Sequence, residues 1–171
     1  MTRLLTLLRR AQKERGATDP ILIIAGIAIT LILLVGGSFA ISGFIGNANN
    51  LNAKGDLDRI ATAQAAFYAE KDRYASLRLN IANPGTVETD LQNSSISFTP
   101  TADNPIIVNA TATGWAAVTL SPTGEMFIRT SASSQIIGTT DRSVVPEGVV
   151  LAGTGITGSW VTSAMARVKG F

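Results

Sequence analysis

ILIIAGIAITLILLV, residues 21–35, is fifteen residues without a charge, and residues 36–45 extend the uncharged run to twenty-five. At about 1.5 Å of rise per residue, roughly 20 helical residues cross a hydrocarbon core about 30 Å thick. The run is apolar all round rather than on one stripe, which speaks against the surface helix of a soluble domain. The cations Arg3, Arg9, Arg10, Lys13 and Arg15 all lie before it. The positive-inside rule therefore places the N-terminus in the cytoplasm and the remainder outside. Asp19-Pro20 reads as the helix start, because Asp is a good N-cap and Pro suits the first helical position. An acid there also meets the positive end of the helix dipole.

A secretory signal is the competing reading. A basic region, an apolar stretch and the small residues Ser38 and Ala40 make a passable signal-peptidase site before Ile41. Against it, the basic region is long, and the chain beyond Ala40 reads as a continuing helix. Outside this segment the charge balance changes sign. The whole chain has 14 Lys and Arg against 12 Asp and Glu, but residues 1–16 hold five of the cations and one acid. The body is thus slightly acidic, without a basic run, and no nucleic-acid partner is evident. The chain has no Cys and no His. That excludes thiol chemistry, Cys/His zinc sites, histidine acid/base catalysis and disulfide support.

GDLDRIATAQAAFYAEKDRY, residues 55–74, predicts an amphipathic helix. Leu57, Ile60, Ala61, Gln64, Phe67 and Tyr68 recur at helical spacing on one face. Asp56 with Arg59, and Glu70 with Arg73, are placed to pair on the outside. Between the two helical stretches, GFIGNANNLNAKG (residues 43–55) is rich in poor helix formers. It reads as the weak middle of one long helix, with a true break as the alternative.

After Tyr74 the composition turns to strands and loops. Residues 76–105 are rich in breakers, with SISFT (95–99) an alternating segment inside them. PIIVNA (105–110) is a strand candidate. WAAVTLS (115–121) and EMFIRT (125–130) alternate around SPTG, a type I turn sequence, and form the best hairpin. Its expected faces carry Ala116, Val118 and Leu120 on one strand and Met126 and Ile128 on the other. Ser/Thr/Gly-rich residues 130–140 and 153–159 read as surface loops, and residues 157–171 as either a last strand or a short helix from about Trp160.

Together these features resemble the type IV pilin and pseudopilin superfamily, on residues 1 to about 75 and on the GWAAVTLSPTGEMFIRT stretch (114–130). The resemblance implies an α+β fold: a long N-terminal helix, half transmembrane and half amphipathic, packed on a small antiparallel β-sheet head. It implies a prepilin leader at 1–16, an assembly helix at 17–46, an amphipathic helix at 47–75 and a β-rich head at 76–171. Prepilin peptidase would cut after Gly16, and Ala17 would become the N-methylated first residue. The apolar helix would anchor the subunit in the membrane and then form the core of a homo-oligomeric filament. Gly26, Gly36, Gly37 and Gly43 would allow close helix packing. Ile60, Phe67, Tyr68 and Trp115 would pack the head. The family usually has a large apolar residue at the first mature position and an acid at the fifth; here those are Ala17 and Ile21, with Asp19 at the third. Asp19 either serves assembly two positions early or is only the N-cap. These departures point to a divergent branch, with Gram-positive pilins as one candidate.

No catalytic motif, cofactor fingerprint or metal-binding pattern is present. The acids Glu88, Asp90, Asp103, Glu125, Asp141 and Glu147 are scattered and read as solvated surface. GTGITG (153–158) lacks the lysine of a phosphate loop and is read as lacking a following helix. The expected role is therefore non-enzymatic, with no cofactor and no metal. It is a filament subunit handled by prepilin peptidase and an assembly machinery, moving from the cell membrane to the cell surface and serving such ends as adhesion. A secretion pseudopilin and a secreted or membrane-anchored binding domain are the alternatives.

Overall fold

The computed structural model describes residues 20–80, 91, 98, 100, 101 and 104–168. Helix α1 spans Pro20–Lys71, 52 residues without a break. Five strands follow: β1 (Leu77–Leu79), β2 (Ile106–Ala110), β3 (Trp115–Leu120), β4 (Met126–Thr130) and β5 (Ser133–Thr139). Helix α2 (Gly158–Val168) comes last. The fold is α+β. The strands form one antiparallel sheet in the order β1-β2-β3-β4-β5, a meander with each strand beside its sequence neighbour. The chain divides into two units, Met1–Phe44 and Ile45–Phe171.

In the second unit, the alternation of the strands builds two cores. Leu77, Ile106, Val108, Trp115, Ala117 and Phe127 face α1, where Ala53, Leu57, Ile60, Ala63 and Phe67 meet them. Their neighbours Ile107, Ala116, Val118, Met126 and Ile128 face the other way, against Val161, Ala164, Met165 and Val168 of α2. The period of two seen in WAAVTL and MFIRT therefore marks two buried faces rather than one buried and one wet. Residues 161, 164, 165 and 168 are the one-sided stripe of an amphipathic helix, and Thr157 caps it by accepting from the Trp160 N–H at 3.3 Å. Of the two readings of the C-terminal stretch, the structure takes the helix.

The β3–β4 hairpin closes as its turn residues predict. The Gly124 N–H donates to the Ser121 carbonyl at 2.9 Å, and the Ser121 N–H donates to Glu125 at 2.9 Å. Gly124 sits at φ +87°, a conformation that a Cβ disfavours, so the fourth residue of the turn has to be glycine or bear strain.

Residues 43–55 stay helical despite their Gly and Asn content, and contacts from residue 46 onward explain why. Asn50 donates to Glu125 at 2.9 Å and accepts from the Thr123 hydroxyl at 2.6 Å, clasping the hairpin turn. Ala53 is fully buried, and the Lys54 ammonium lies 4.9 Å from the centre of the Phe127 ring. Tertiary contacts of this kind override weak intrinsic propensity.

Three expectations need correction. Asp56 is not on the outside. It is fully buried, accepting from the Thr101 N–H and hydroxyl, each at 2.7 Å, and from Asn104 at 3.5 Å. Its Arg59 partner stands 4.0 Å away at the exposed edge. The carboxylate thus ties α1 to the chain entering β2, a task that the pairing rule for helix surfaces does not anticipate. Second, residues 133–139 are not a loop: β4 turns through Ser131-Ala132 into β5, and backbone pairing with β4 outweighs the polar composition. Third, a helix does follow GTGITG, since α2 begins at Gly158. The SISFT segment lies outside the described residues except Phe98, which packs partly buried on the α1-side core.

Gln64 sits on the apolar stripe of α1 and is fully buried. Its amide pairs with the backbone of Ala75 in both directions, donating to the carbonyl at 2.5 Å and accepting from the N–H at 2.9 Å. This pairing turns the chain from the end of α1 into β1. Gln64→Leu leaves two buried backbone groups without that partner, so a loss of about 2–4 kcal/mol is expected in urea unfolding of the chain in non-ionic micelles. An unchanged midpoint would show that the clasp contributes nothing.

Candidate assembly surface

Residues 20–44 carry the surface with the plainest chemical demand. Ile21, Leu22, Ile24, Leu31, Ile32, Leu33, Leu34, Phe39 and Phe44 are all exposed, the last two by 76% and 74%. The helix is long and apolar enough to cross a membrane. Its polar side chains through residue 45 are Thr30, Ser38 and Ser42. Thr30 donates to the Gly26 carbonyl at 2.8 Å, Ser38 to Leu34 at 2.8 Å and Ser42 to Phe39 at 2.9 Å. Each hydroxyl proton is thus satisfied on the helix's own backbone, as an apolar surrounding requires. Hydrogen bonds between helices are not needed to bury this surface.

The small residues are grouped on it. At about 100° per residue, Ala25, Gly36, Ala40 and Gly43 fall within about 60° of one another, with Gly26 and Gly37 on the adjoining side. Beyond the adjoining residues and the local backbone of the helix, a Cβ placed on Gly26, Gly36, Gly37 or Gly43 would meet no atom of this chain within 4 Å. Packing within the chain therefore does not explain why these positions are glycine. A neighbouring helix approaching on that side would.

The other residues singled out in the sequence fall as follows. Gly16, Ala17 and Asp19 lie outside the described residues. Pro20 is the first residue of α1. Ile60 and Phe67 are buried in the α1-side core, and Trp115 joins them at 4% exposure. Tyr68 is instead 41% exposed, its ring 4.7 Å from that of Tyr74 and tilted by 30°. The negative charge of Asp72 beside it raises the Tyr68 phenol above its ordinary pKa. The two tyrosines, Trp115, Arg129 and the serines of the β4–β5 turn line an open cavity of about 380 Å³. Arg129 is paired there with Asp58, an exposed bridge of little expected energetic weight.

Sequence reasoning did not find the roles of Asp56 and Asn50, and it left open that of Gln64, although a polar residue on an apolar stripe is a usable signal. It also missed Arg78 on β1 and Arg167 on α2, which line a second cavity, of about 360 Å³. Among the described residues, no group of three or more acidic side chains is placed to hold a metal ion.

Comparison with family models, curated proteins and solved structures finds no match. The order of parts is nonetheless pilin-like: a long apolar N-terminal helix whose later turns are amphipathic, then an antiparallel sheet laid against those turns.

Proposed function

We propose that the chain is a structural subunit of a type IV pilus-like filament, held in the membrane by residues 21–45 and assembled through the same residues. The observation that supports this most is the exposed apolar helix with self-satisfied hydroxyls and grouped small residues. Moving each large apolar side chain out of water contributes about 1.5–3 kcal/mol, so lipid or other copies of the helix must cover it. Both environments suit it, which is what a subunit passing from bilayer to filament core requires. On this reading prepilin peptidase cuts the Gly16–Ala17 bond, the Ala17 amine is methylated, and Asp19 lies beside a neighbour's amine. The sheet and α2 then form the filament's outer surface at the cell exterior, in a structural rather than catalytic role.

The mass of the N-terminal peptide from the protein's own cells tests this. A start at Ala17, with or without a methyl group, is expected. A start at Ile41 would mean an ordinary secreted protein, and an intact Met1 a simple anchor. Either result would remove the filament reading. The aromatic cavity of Tyr68, Tyr74 and Trp115 favours a second reading, an anchored extracellular binding domain, to which those last two outcomes would point.

A further inference from the structure

The cavity beside Tyr68 has an apolar side made by α1 and a polar side made by the sheet. On α1, Ala61, Ala65 and Tyr68 share one side of the helix over about 10 Å. The two alanines leave the space, and Tyr68 bounds it. The Tyr74 ring lies 4.7 Å from that of Tyr68 and is tilted by 30°, so each tyrosine helps to hold the other in place. Trp115 of β3 lines the cavity with the small part of its surface that stays exposed.

Arg129 and the serines of the β4–β5 turn supply the polar side. The Ser131 hydroxyl accepts from the Trp115 N–H at 3.0 Å, and the Ser133 hydroxyl from the Gln135 N–H at 3.1 Å. Each thus uses a lone pair within the chain and keeps its O–H to give to a further acceptor. Arg129 pairs with Asp58 through Nη1, while its Nε is buried and has no hydrogen-bond partner among the described residues. A buried donor of that kind calls for an acceptor, which a water or a ligand oxygen in the cavity can supply.

The charges narrow the ligand. Asp58 offsets Arg129, and Asp72 stands beside Tyr68, so the groups that line and flank the cavity offer no surplus positive charge to an anion. A neutral molecule with one apolar face and a rim of oxygens fits this wall best. A sugar ring is such a molecule. Its C–H face meets the negative face of an aromatic ring, and its hydroxyls both give and take hydrogen bonds. A volume of about 380 Å³ is room for roughly one or two sugar rings. The paired tyrosines are already ordered against each other, which lowers the entropy lost on binding.

We propose that this cavity binds a neutral carbohydrate, with Tyr68 as the stacking platform and Arg129, Ser131 and Ser133 as donors to the sugar oxygens. The site lies within residues 61–134 and holds for a filament subunit and for an anchored binding domain alike. The N-terminal mass decides between those two, and the sugar titration does not depend on it.

The test is titration of the full chain, in micelles of a polyoxyethylene detergent that has no sugar headgroup. The probes are cellobiose, lactose, mannobiose and diacetylchitobiose. Trp115 fluorescence reports binding in a Trp160→Phe background, which removes the other tryptophan. At least one probe is expected to bind with a Kd of about 1 mM or tighter. Tyr68→Ala should weaken it about tenfold or more, and Tyr68→Phe, which keeps the ring, by less than about twofold. Ala65→Leu adds bulk to the cavity from an exposed helical position that tolerates leucine, and should abolish binding with the thermal midpoint unchanged. That variant separates a blocked site from a damaged fold. No response to any of the four sugars at about 10 mM, or binding undiminished in both Tyr68→Ala and Ala65→Leu, would overturn the proposal. So would a result in which no sugar binds and Ala65→Leu shifts the oligomeric state, which would assign the cavity to a second copy of the chain.

Discussion

Replacing Ile29 and Ile32 together by arginine is expected to remove the chain from the carbonate-resistant membrane fraction. The two side chains are 58% and 71% exposed near the middle of the apolar run. They lie three residues apart, on one side of the helix, so both charges would face the same surroundings. An arginine at the centre of a membrane helix costs about 2.5–3.5 kcal/mol on the insertion scale, and two cost roughly 5–7. Summed over the run, the favourable contributions of Leu, Ile and Val are of the same order, so the double change is enough to cancel them. The Ile29→Leu, Ile32→Leu pair keeps the apolar surface and should fractionate as the native chain does. If the arginine variant remains in the membrane to the native extent, residues 21–45 are not what holds the protein there.

Phe127→Ala is expected to destabilise the head by about 3–5 kcal/mol, the range for truncating a buried aromatic residue. Phe127 is fully buried in the α1-side core, and the Lys54 ammonium sits over its ring. The same ring covers Gly138 on β5, where an added Cβ would lie 2.9 Å from Phe127 Cε1. Removing it opens a cavity at the junction of α1, β4 and β5 that the rigid sheet cannot close. Against a typical total of about 5–15 kcal/mol, such a loss takes a large share of the stability of the head. Phe127→Leu retains most of the volume and should cost less than about 1.5 kcal/mol. Denaturant midpoints read by tryptophan fluorescence test both, since Trp115 lies in the same core. A loss under about 1 kcal/mol for the alanine variant would mean that the sheet is not held to α1 through this residue.

Legibility in the sequence followed the range of the forces involved. The hairpin around SPTG was readable because its turn residues and its alternation act within about fifteen residues. Trp115–Leu120 and Met126–Thr130 duly pair, with Val118 opposite Ile128. The stretch Ser133–Thr139 was not readable, because polar residues on an edge strand carry no alternation and the strand exists only by pairing with β4. Asp56 was misplaced for a related reason. Its spacing from Arg59 is that of a surface pair, and only the fold brings Thr101 and Asn104 to it. Arg78 and Arg167 are 89 residues apart in sequence, and no local pattern links them.

By itself, then, the sequence determined the apolar helix and its orientation signal, the amphipathic turns after it and the central hairpin. Hydrophobic length, helical period and turn chemistry are properties of adjacent residues, and they act before any distant contact forms. Only the tertiary structure decided that α1 runs unbroken through its Gly- and Asn-rich middle, that both faces of the sheet are buried, and that Gln64 and Asp56 tie α1 to the segments leading into β1 and β2. It also decided that two arginines share one groove. Each of these depends on groups far apart in the chain, some of them apolar faces that need covering and some buried polar atoms that need partners, and long-range closure alone brings them together.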